Sequence, residues 1–341
     1  MNHDDLATLG AIREQTMSVL RSAIGESGDV ALLDFPAHMN VGDSMIWAGE
    51  LAYLGQLGYR VAYACDMARF DAQTLERRVS TGPILLHGGG NFGDVWPEYQ
   101  EFREEIVRRF PERTIVQLAQ SVLFKSAESA ARANVVLGGH RNYTLLIRDS
   151  ASLRRARTQL PDVTIAYCPD LALGWQPPTA AVTSGDSVLV LARRDREARS
   201  GLAAATAEVL HKGDSIIDWG LHGPALLAWK AAGIPGKIAE KVPGLFRSAL
   251  GYSLLAQGYR RRAALNLAAG CSSFEHASLV VTDRLHAHVL AVLMGKDNIV
   301  LDNSYGKIRT IYDDYTSKFS TTMFFDSAAG AKERIESLKP A

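Results

Sequence analysis

The sequence predicts an α/β protein built on mostly parallel sheets, and three observations lead there. Short apolar runs recur at intervals long enough for a helix between each: VALLDF (30–35), RVAYAC (60–65), PILLH (83–87), TIVQLAQ (114–120), YTLLIRD (143–149) and VTIAYC (163–168). The same rhythm restarts with SVLVLAR (187–193), SIIDWG (215–220), SLVVTD (278–283) and NIVLDN (298–303), with helical patterns at 202–211, 246–269 and 285–295. Strands alternating with helical stretches make a sheet whose two faces are both covered. Between the two series, GWQPPTAAVTSGD (174–186) has the Pro, Gly, Ser and Thr content of a linker. Two doubly wound domains are therefore expected, residues 1–175 and 186–341, facing a cleft between the carboxyl ends of their strands, where such sheets bind ligands.

The chain opens with Leu6, Leu9, Met17, Leu20 and Ile24 at loosely helical spacing, which predicts a helix over 4–25. Lys plus Arg and Asp plus Glu both number 37, so long-range attraction to nucleic acid or an acidic membrane has no source, and any anion site must be built locally. Cys65, Cys168 and Cys271 lie far apart with no paired spacing, which fits a reducing compartment and packing roles rather than a zinc site. The N-terminus, MNHDDLATLG, is acidic where a signal peptide is basic, and no apolar run approaches the roughly 18 residues of a membrane span. The expectation is a soluble cytoplasmic protein, at most peripheral to the inner face of the membrane, with no metal and no cofactor.

Four segments that follow strands depart from what packing alone selects. In HMNVGDSMIW (38–47), Asn40 and Asp43 suit turn and helix-cap positions, so a capped helix start and a ligand loop are both open. In LHGGGNFGDVWPEYQ (86–100), three successive glycines incur backbone entropy that a plain turn need not, which favours a loop where the backbone approaches a ligand. Neither a P-loop nor a GxGxxG fingerprint is present. In LLIRDSASL (145–153), Arg148 emerges at a strand's end beside a helix start and can hold a carboxylate or phosphate; the alternative is a surface ion pair, with Asp170 a candidate partner. In LVVTDRLHAHVLAVLMG (279–295), the strand ends at Thr282, Asp283 caps, and Arg284, Leu285 and His286 fill the first helical turn. At about 100° per residue, His286 and His288 point apart, so one can serve a site while the other packs. His286, beside Arg284, is the catalytic candidate and His288 the structural one. His38, His87 and His222 are each weak candidates taken singly.

These segments, with CPDLAL (168–173) and above all TDRLHAHVLAVLMGKDNIVLDNSYGKIRTIYDDY (282–315), resemble the polysaccharide pyruvyltransferase family over residues 38–315. The resemblance implies two Rossmann-like domains similar to the GT-B glycosyltransferases, phosphoenolpyruvate as donor, and a sugar hydroxyl pair, free or lipid-linked, as acceptor. It also implies that Arg148, Arg284, Leu285 and His286 line the donor site. Ala287 stands where many members have glycine. The donor's carboxylate and phosphate need focused positive charge, for which Arg193 and Lys307 are further sources. Asn40, Asp43, Gly89, Gly90, Asn91 and Asp94 are assigned to the acceptor on the first domain, with Phe92 and Trp96 offering either a sugar-stacking surface or core. A nucleotide-sugar glycosyltransferase and a non-catalytic sugar-binding subunit are the alternative functions.

Overall fold

The computed structural model describes residues 1–178, 187–193, 200–302 and 306–338, so residues 179–186 of the expected linker lie outside the described residues. The elements run α1 (His3–Ile24), β1 (Asp29–Leu33), α2 (Val41–Gln56), β2 (Arg60–Cys65), α3 (Ala72–Arg78), β3 (Ile84–Leu86), β4 (Gly89–Gly93), α4 (Pro97–Arg109), β5 (Ile115–Leu123), α5 (Ala127–Gly138), β6 (Tyr143–Ile147), α6 (Ser150–Gln159) and β7 (Thr164–Tyr167). They continue with β8 (Ser187–Leu191), α7 (Leu202–Thr206), β9 (Ser215–Ile217), α8 (Gly223–Ala232), α9 (Ile234–Lys241), α10 (Pro243–Phe246) and α11 (Ala249–Phe274). The last are β10 (Ala277–Thr282), α12 (Leu285–Leu293), β11 (Asp297–Leu301), α13 (Lys307–Asp314), β12 (Thr322–Phe325) and α14 (Ala328–Leu338). The protein is α/β, with two parallel sheets, each flanked by helices in a Rossmann-like manner.

Two compact units result. The first holds Arg13–Trp175 and Leu221–Asn266; the second holds Met1–Ile12, Gln176–Gly220 and Leu267–Ala341. In the first unit the strand order is β2-β1-β3-β5-β6-β7, with β4 paired to β5, and every pairing is parallel. The order reverses between β1 and β3. In the second unit the order is β12-β11-β10-β8-β9, also all parallel, and the reversal falls between β8 and β10. Each sheet thus repeats one doubly wound plan, in which ligands bind outside the carboxyl ends of the strands at the reversal.

The apolar runs explain the strands. Val30 to Leu33, Ile84 to Leu86 and Leu145 to Ile147 are wholly buried, as a strand covered on both faces must be. In the first unit Ile106, Leu75, Ala133 and Ala156 cover them from α4, α3, α5 and α6. In the second unit Val190, Val281, Ile299 and Leu301 pack against Leu202, Ala331 and Ile335. Residues 221–266 pack with the first sheet: the Tyr252 hydroxyl accepts from Ala64 N at 2.6 Å, and Asn266 Nδ2 donates to the His38 carbonyl at 3.0 Å and to Ser44 Oγ at 2.9 Å.

Three sequence expectations need correction. The glycine segment is not all loop: after Gly88, Gly89–Gly93 forms β4, parallel to β5. Its glycines answer to the protein's own backbone, since Gly89 has φ 135° and a Cβ on Gly93 would collide with the Leu123 carbonyl. The helix expected over 202–211 is one α-turn, Leu202–Thr206, followed by a 3₁₀ turn over Ala207–Val209. Asp283 does not cap α12. The cap position belongs to Arg284, and the Asp283 carboxylate instead accepts from Arg193 N at 2.8 Å and Ser200 Oγ at 2.6 Å, tying the end of β10 to the chain after β8.

Candidate functional site

Asp283, Arg284 and His286 follow β10, and Arg193 follows β8, so these residues converge on the reversal of the second sheet. Thr282 sets the turn: its hydroxyl donates to the Leu191 carbonyl at 2.7 Å and accepts from Arg284 N at 3.0 Å. Asp218, just past β9, grips the Arg284 fork, with Nε at 2.6 Å and Nη2 at 2.7 Å from its two carboxylate oxygens. A two-point pair of this kind fixes the guanidinium plane. Asp218 was not among the expected site residues, although an acidic residue ending the run SIID is a signal that could have found it. Leu285 is buried at the start of α12 and His286 is half-buried in its first turn. Lys307 is the first residue of α13, after Gly306 in the left-handed region.

His288 is different in kind. It is wholly buried, with Nδ1 2.8 Å from Asn298 Oδ1 and Nε2 2.8 Å from Thr316 Oγ1. Burial drives its pKa down to about 4, so it is neutral at physiological pH and acts as a strut between α12, β11 and the turn after α13.

In the first unit Arg148 follows β6 almost fully buried, its Nη1 2.7 Å from Asp170 Oδ2 and its Nε 2.9 Å from Ser121 Oγ. The Asp170 pair that the sequence allowed is real, but it lies in the interior rather than at the surface. Asp149 caps α6 by accepting from Ser152 N at 2.7 Å and also accepts from Ser121 Oγ at 2.6 Å.

The residues expected to meet a sugar hold one another and the surrounding backbone. Asn40 caps α2 through Gly42 N at 2.8 Å, and its Nδ2 donates to Asp43 Oδ2 at 2.7 Å. His38 Nε2 is 2.7 Å from the same oxygen; burial opposes its charge, but the Asp43 carboxylate outweighs this and raises its pKa. Asn91 Oδ1 accepts from Gln120 Nε2 at 3.1 Å and from the buried Arg103. The Asp94 carboxylate accepts from Lys125 N at 2.8 Å and Ser126 N at 2.7 Å, joining the end of β4 to the start of α5. Gly89 lies in β4 beside Asp43, whose Oδ1 is 4.0 Å from an ideal Cβ built there, and Gly90 follows it in the strand. Phe92 is core, edge-on to Phe124 at 5.9 Å, whereas Trp96 is half-buried ahead of α4. Asp94→Ala takes the carboxylate acceptor from two backbone N–H groups and is expected to cost about 1–3 kcal/mol of stability, read as a lowered melting temperature in thermal denaturation.

Beneath this layer sits a buried charged group that the sequence did not disclose. Asp34 follows β1 with φ 68°, a left-handed conformation uncommon outside glycine. His87 follows β3, and its Nδ1 is 2.8 Å from Glu50 Oε2, while Glu50 Oε1 accepts from Gly88 N at 2.8 Å. Arg103, from α4, donates to Gln117 Oε1 at 2.8 Å and reaches within 4.0 Å of the Asp34 carboxylate.

Two parallel sheets, each with charged and imidazole side chains at its strand-order reversal, place the chain in the Rossmann-like α/β class. The comparisons narrow that class. Residues 40–305 match the model of the family described as polysaccharide pyruvyl transferase, and the chain belongs to that family. It is 28% identical to EpsO of Bacillus subtilis over 317 residues, covering 93% of this chain and 94% of that one. It is 31% identical to pyruvyl transferase 1 of Schizosaccharomyces pombe over 302 residues, covering 84% of this chain and 69% of that one. The crystal structure of protein KP1_0663 from Klebsiella pneumoniae shares the fold, with a TM-score of 0.54 at 13% identity over 96% of this chain and all of that one. The reaction class is therefore pyruvyl transfer. Among the described residues no helix is long and apolar enough to cross a membrane.

Proposed function

We propose that the protein transfers the enolpyruvyl unit of phosphoenolpyruvate to a sugar of a polysaccharide or its lipid-linked precursor, closing a pyruvate ketal and releasing phosphate. The observation that carries this reading is the β10–α12 turn: an arginine held flat by Asp218 and a histidine two residues on, at the reversal of a parallel sheet, in a member of a pyruvyl transferase family. In this reading the second unit takes the donor, with Arg284, Leu285, Arg193 and Lys307 on its carboxylate and phosphate, and Arg148 contributes positive charge from the first. The start of α2 with Asn40 and Asp43, and the β4 segment with Gly89, Gly90, Asn91 and Asp94, serve the acceptor. Each unit has the Rossmann-like sheet of the GT-B glycosyltransferases, and the protein works in the cytoplasm, where phosphoenolpyruvate is made.

The chemistry follows from the substrate. A sugar hydroxyl adds at C2 while the methylene carbon C3 receives a proton, which His286 supplies. The phosphoryl group leaves as the neighbouring hydroxyl attacks the same carbon, and no step in this sequence calls for a metal. Incubation with phosphoenolpyruvate and candidate glycosides, following phosphate release and product mass, tests the reading; release of a nucleoside diphosphate from a nucleotide sugar instead would replace it. Arg284→Lys keeps the charge but loses the planar fork and its Asp218 contacts, so the dissociation constant for phosphoenolpyruvate should rise about tenfold or more by calorimetry. An unchanged constant would move the anion site elsewhere.

A further inference from the structure

The first sheet reverses between β1 and β3, and Asp34 and His87 are the residues that leave those two strands. Leu33 pairs with Leu86, and His87 N donates to the Leu33 carbonyl at 3.1 Å, so Asp34 and His87 occupy adjoining register positions at the carboxyl edge. Both are more than nine-tenths buried. Glu50 holds His87 Nδ1, yet His87 Nε2 has no hydrogen-bond partner among the described residues. Nor does a donor reach the Asp34 carboxylate among them: Arg103, at 4.0 Å, is beyond hydrogen-bond range, and 5% of the Asp34 side chain remains accessible. An aspartate in the left-handed region, buried and with no donor to its carboxylate among the described residues, is a poor choice for folding and a familiar one for chemistry.

We propose that Asp34 accepts the proton of the acceptor sugar's hydroxyl and that His87, fixed by Glu50, positions that hydroxyl through Nε2. This inference rests on the reading of the protein as a pyruvyltransferase with its acceptor on the first unit, and adds the residues that activate the acceptor. Burial first, against the partial offset of Arg103, His87 and His38, raises the Asp34 pKa to about 6, with Asp43 reinforcing the rise. Burial disfavours a charged His87, but the Glu50 carboxylate, with Asp34 and Asp43 behind it, outweighs this and raises its pKa. A protonated Nε2 donates to the hydroxyl oxygen while the hydroxyl hydrogen points to Asp34. Gly89 leaves this edge open, since an ideal Cβ there would meet nothing nearer than Ile46 Cδ1 at 3.7 Å.

The protons balance. The first hydroxyl gives its proton to Asp34 and its oxygen bonds to C2, while the C2=C3 electron pair takes a proton from His286. When the neighbouring hydroxyl bonds to C2, the bond from C2 to the phosphate oxygen breaks with its electron pair. The second hydroxyl's proton restores His286, and the proton on Asp34 leaves with phosphate.

The test uses the full chain, phosphoenolpyruvate and a panel of p-nitrophenyl hexosides. Asp34→Asn should fold, melt no lower than the wild type at neutral pH, bind phosphoenolpyruvate unchanged by calorimetry, and lose roughly a hundredfold or more in kcat. In the wild type, kcat/KM for the glycoside should rise with pH to a plateau through about 6, and that limb should vanish in the variant. The titratable and charged groups around Asp34 are His38, Asp43 and Glu50 from α2 and its lead-in, His87 after β3, and Arg103 and Tyr99 from α4; Glu50→Gln should raise the glycoside KM while keeping the limb. Should Asp34→Asn fail to fold, the Glu50→Gln result decides, and an unchanged glycoside KM there overturns the inference. Wild-type glycoside kinetics in a folded Asp34→Asn protein overturn it equally, leaving the pyruvyltransferase reading intact. A wild-type protein that neither binds phosphoenolpyruvate nor releases phosphate with any glycoside overturns that reading, and this inference with it.

Discussion

Replacing His286 by alanine is expected to lower kcat by roughly a hundredfold or more while the protein melts close to the wild-type temperature. The neighbouring change, His288→Ala, should do the opposite. His288 is wholly buried with both ring nitrogens engaged, so its loss opens a cavity and strands Asn298 and Thr316, at about 2–4 kcal/mol of stability, with kcat retained by the folded fraction. Because burial lowers the His288 pKa below that of a free imidazole, its neutral form is the one the fold selects. Its contribution is therefore complete at neutral pH and is lost as acid forces the unfolded chain to take up the proton. Kinetics and calorimetric melting on both variants check the assignment, and equal kinetic losses at the two positions would contradict it.

The second large effect concerns Asp170. Its carboxylate faces the buried Arg148 guanidinium, and neither side chain is more than 3% exposed. Removing one member of such a pair leaves the other as an uncompensated interior charge, so Asp170→Ala is expected to destabilise the first unit by about 3–5 kcal/mol. Arg148→Met with Asp170→Leu removes both charges and should recover most of that stability, as urea titration would read. If Arg148 also serves the donor, the double variant will be folded and will still bind phosphoenolpyruvate poorly. Recovered stability with full donor affinity would confine Arg148 to packing.

Most strands were legible because burial on both faces writes a short apolar run into the sequence, and such runs need no context to be read. β4 was not, since Gly89, Gly90 and Gly93 have low strand propensity and, at Gly93, pairing with β5 brings the backbone hard against the Leu123 carbonyl. The helices over 223–246 were likewise hidden, because Pro224, Pro235 and Pro243 break their periodicity and look like turn signals. Arg284 and His286 could be picked out because both follow a recognisable strand in one short motif. Asp34 could not, for its backbone conformation has no signature in the letters VALLDF. Glu50 and Arg103 were missed for a related reason: a charged residue on a helix is normally solvated, and only the folded chain shows that these two face inward.

The segment 221–266 packs with the first unit, although it follows the first strands of the second. On the ribosome, the initial 175 residues therefore emerge without the tyrosines that later bond to Ala64 and Asp66, and without the asparagine that secures the His38 carbonyl. Neither unit is a continuous stretch of chain, so neither can complete itself before much of the other has been made. Such long sequence separation slows folding and leaves partly formed sheets uncovered while synthesis continues. A cell making this protein in quantity should accordingly depend on holding chaperones during elongation, and fragments cut at residue 175 should aggregate rather than fold.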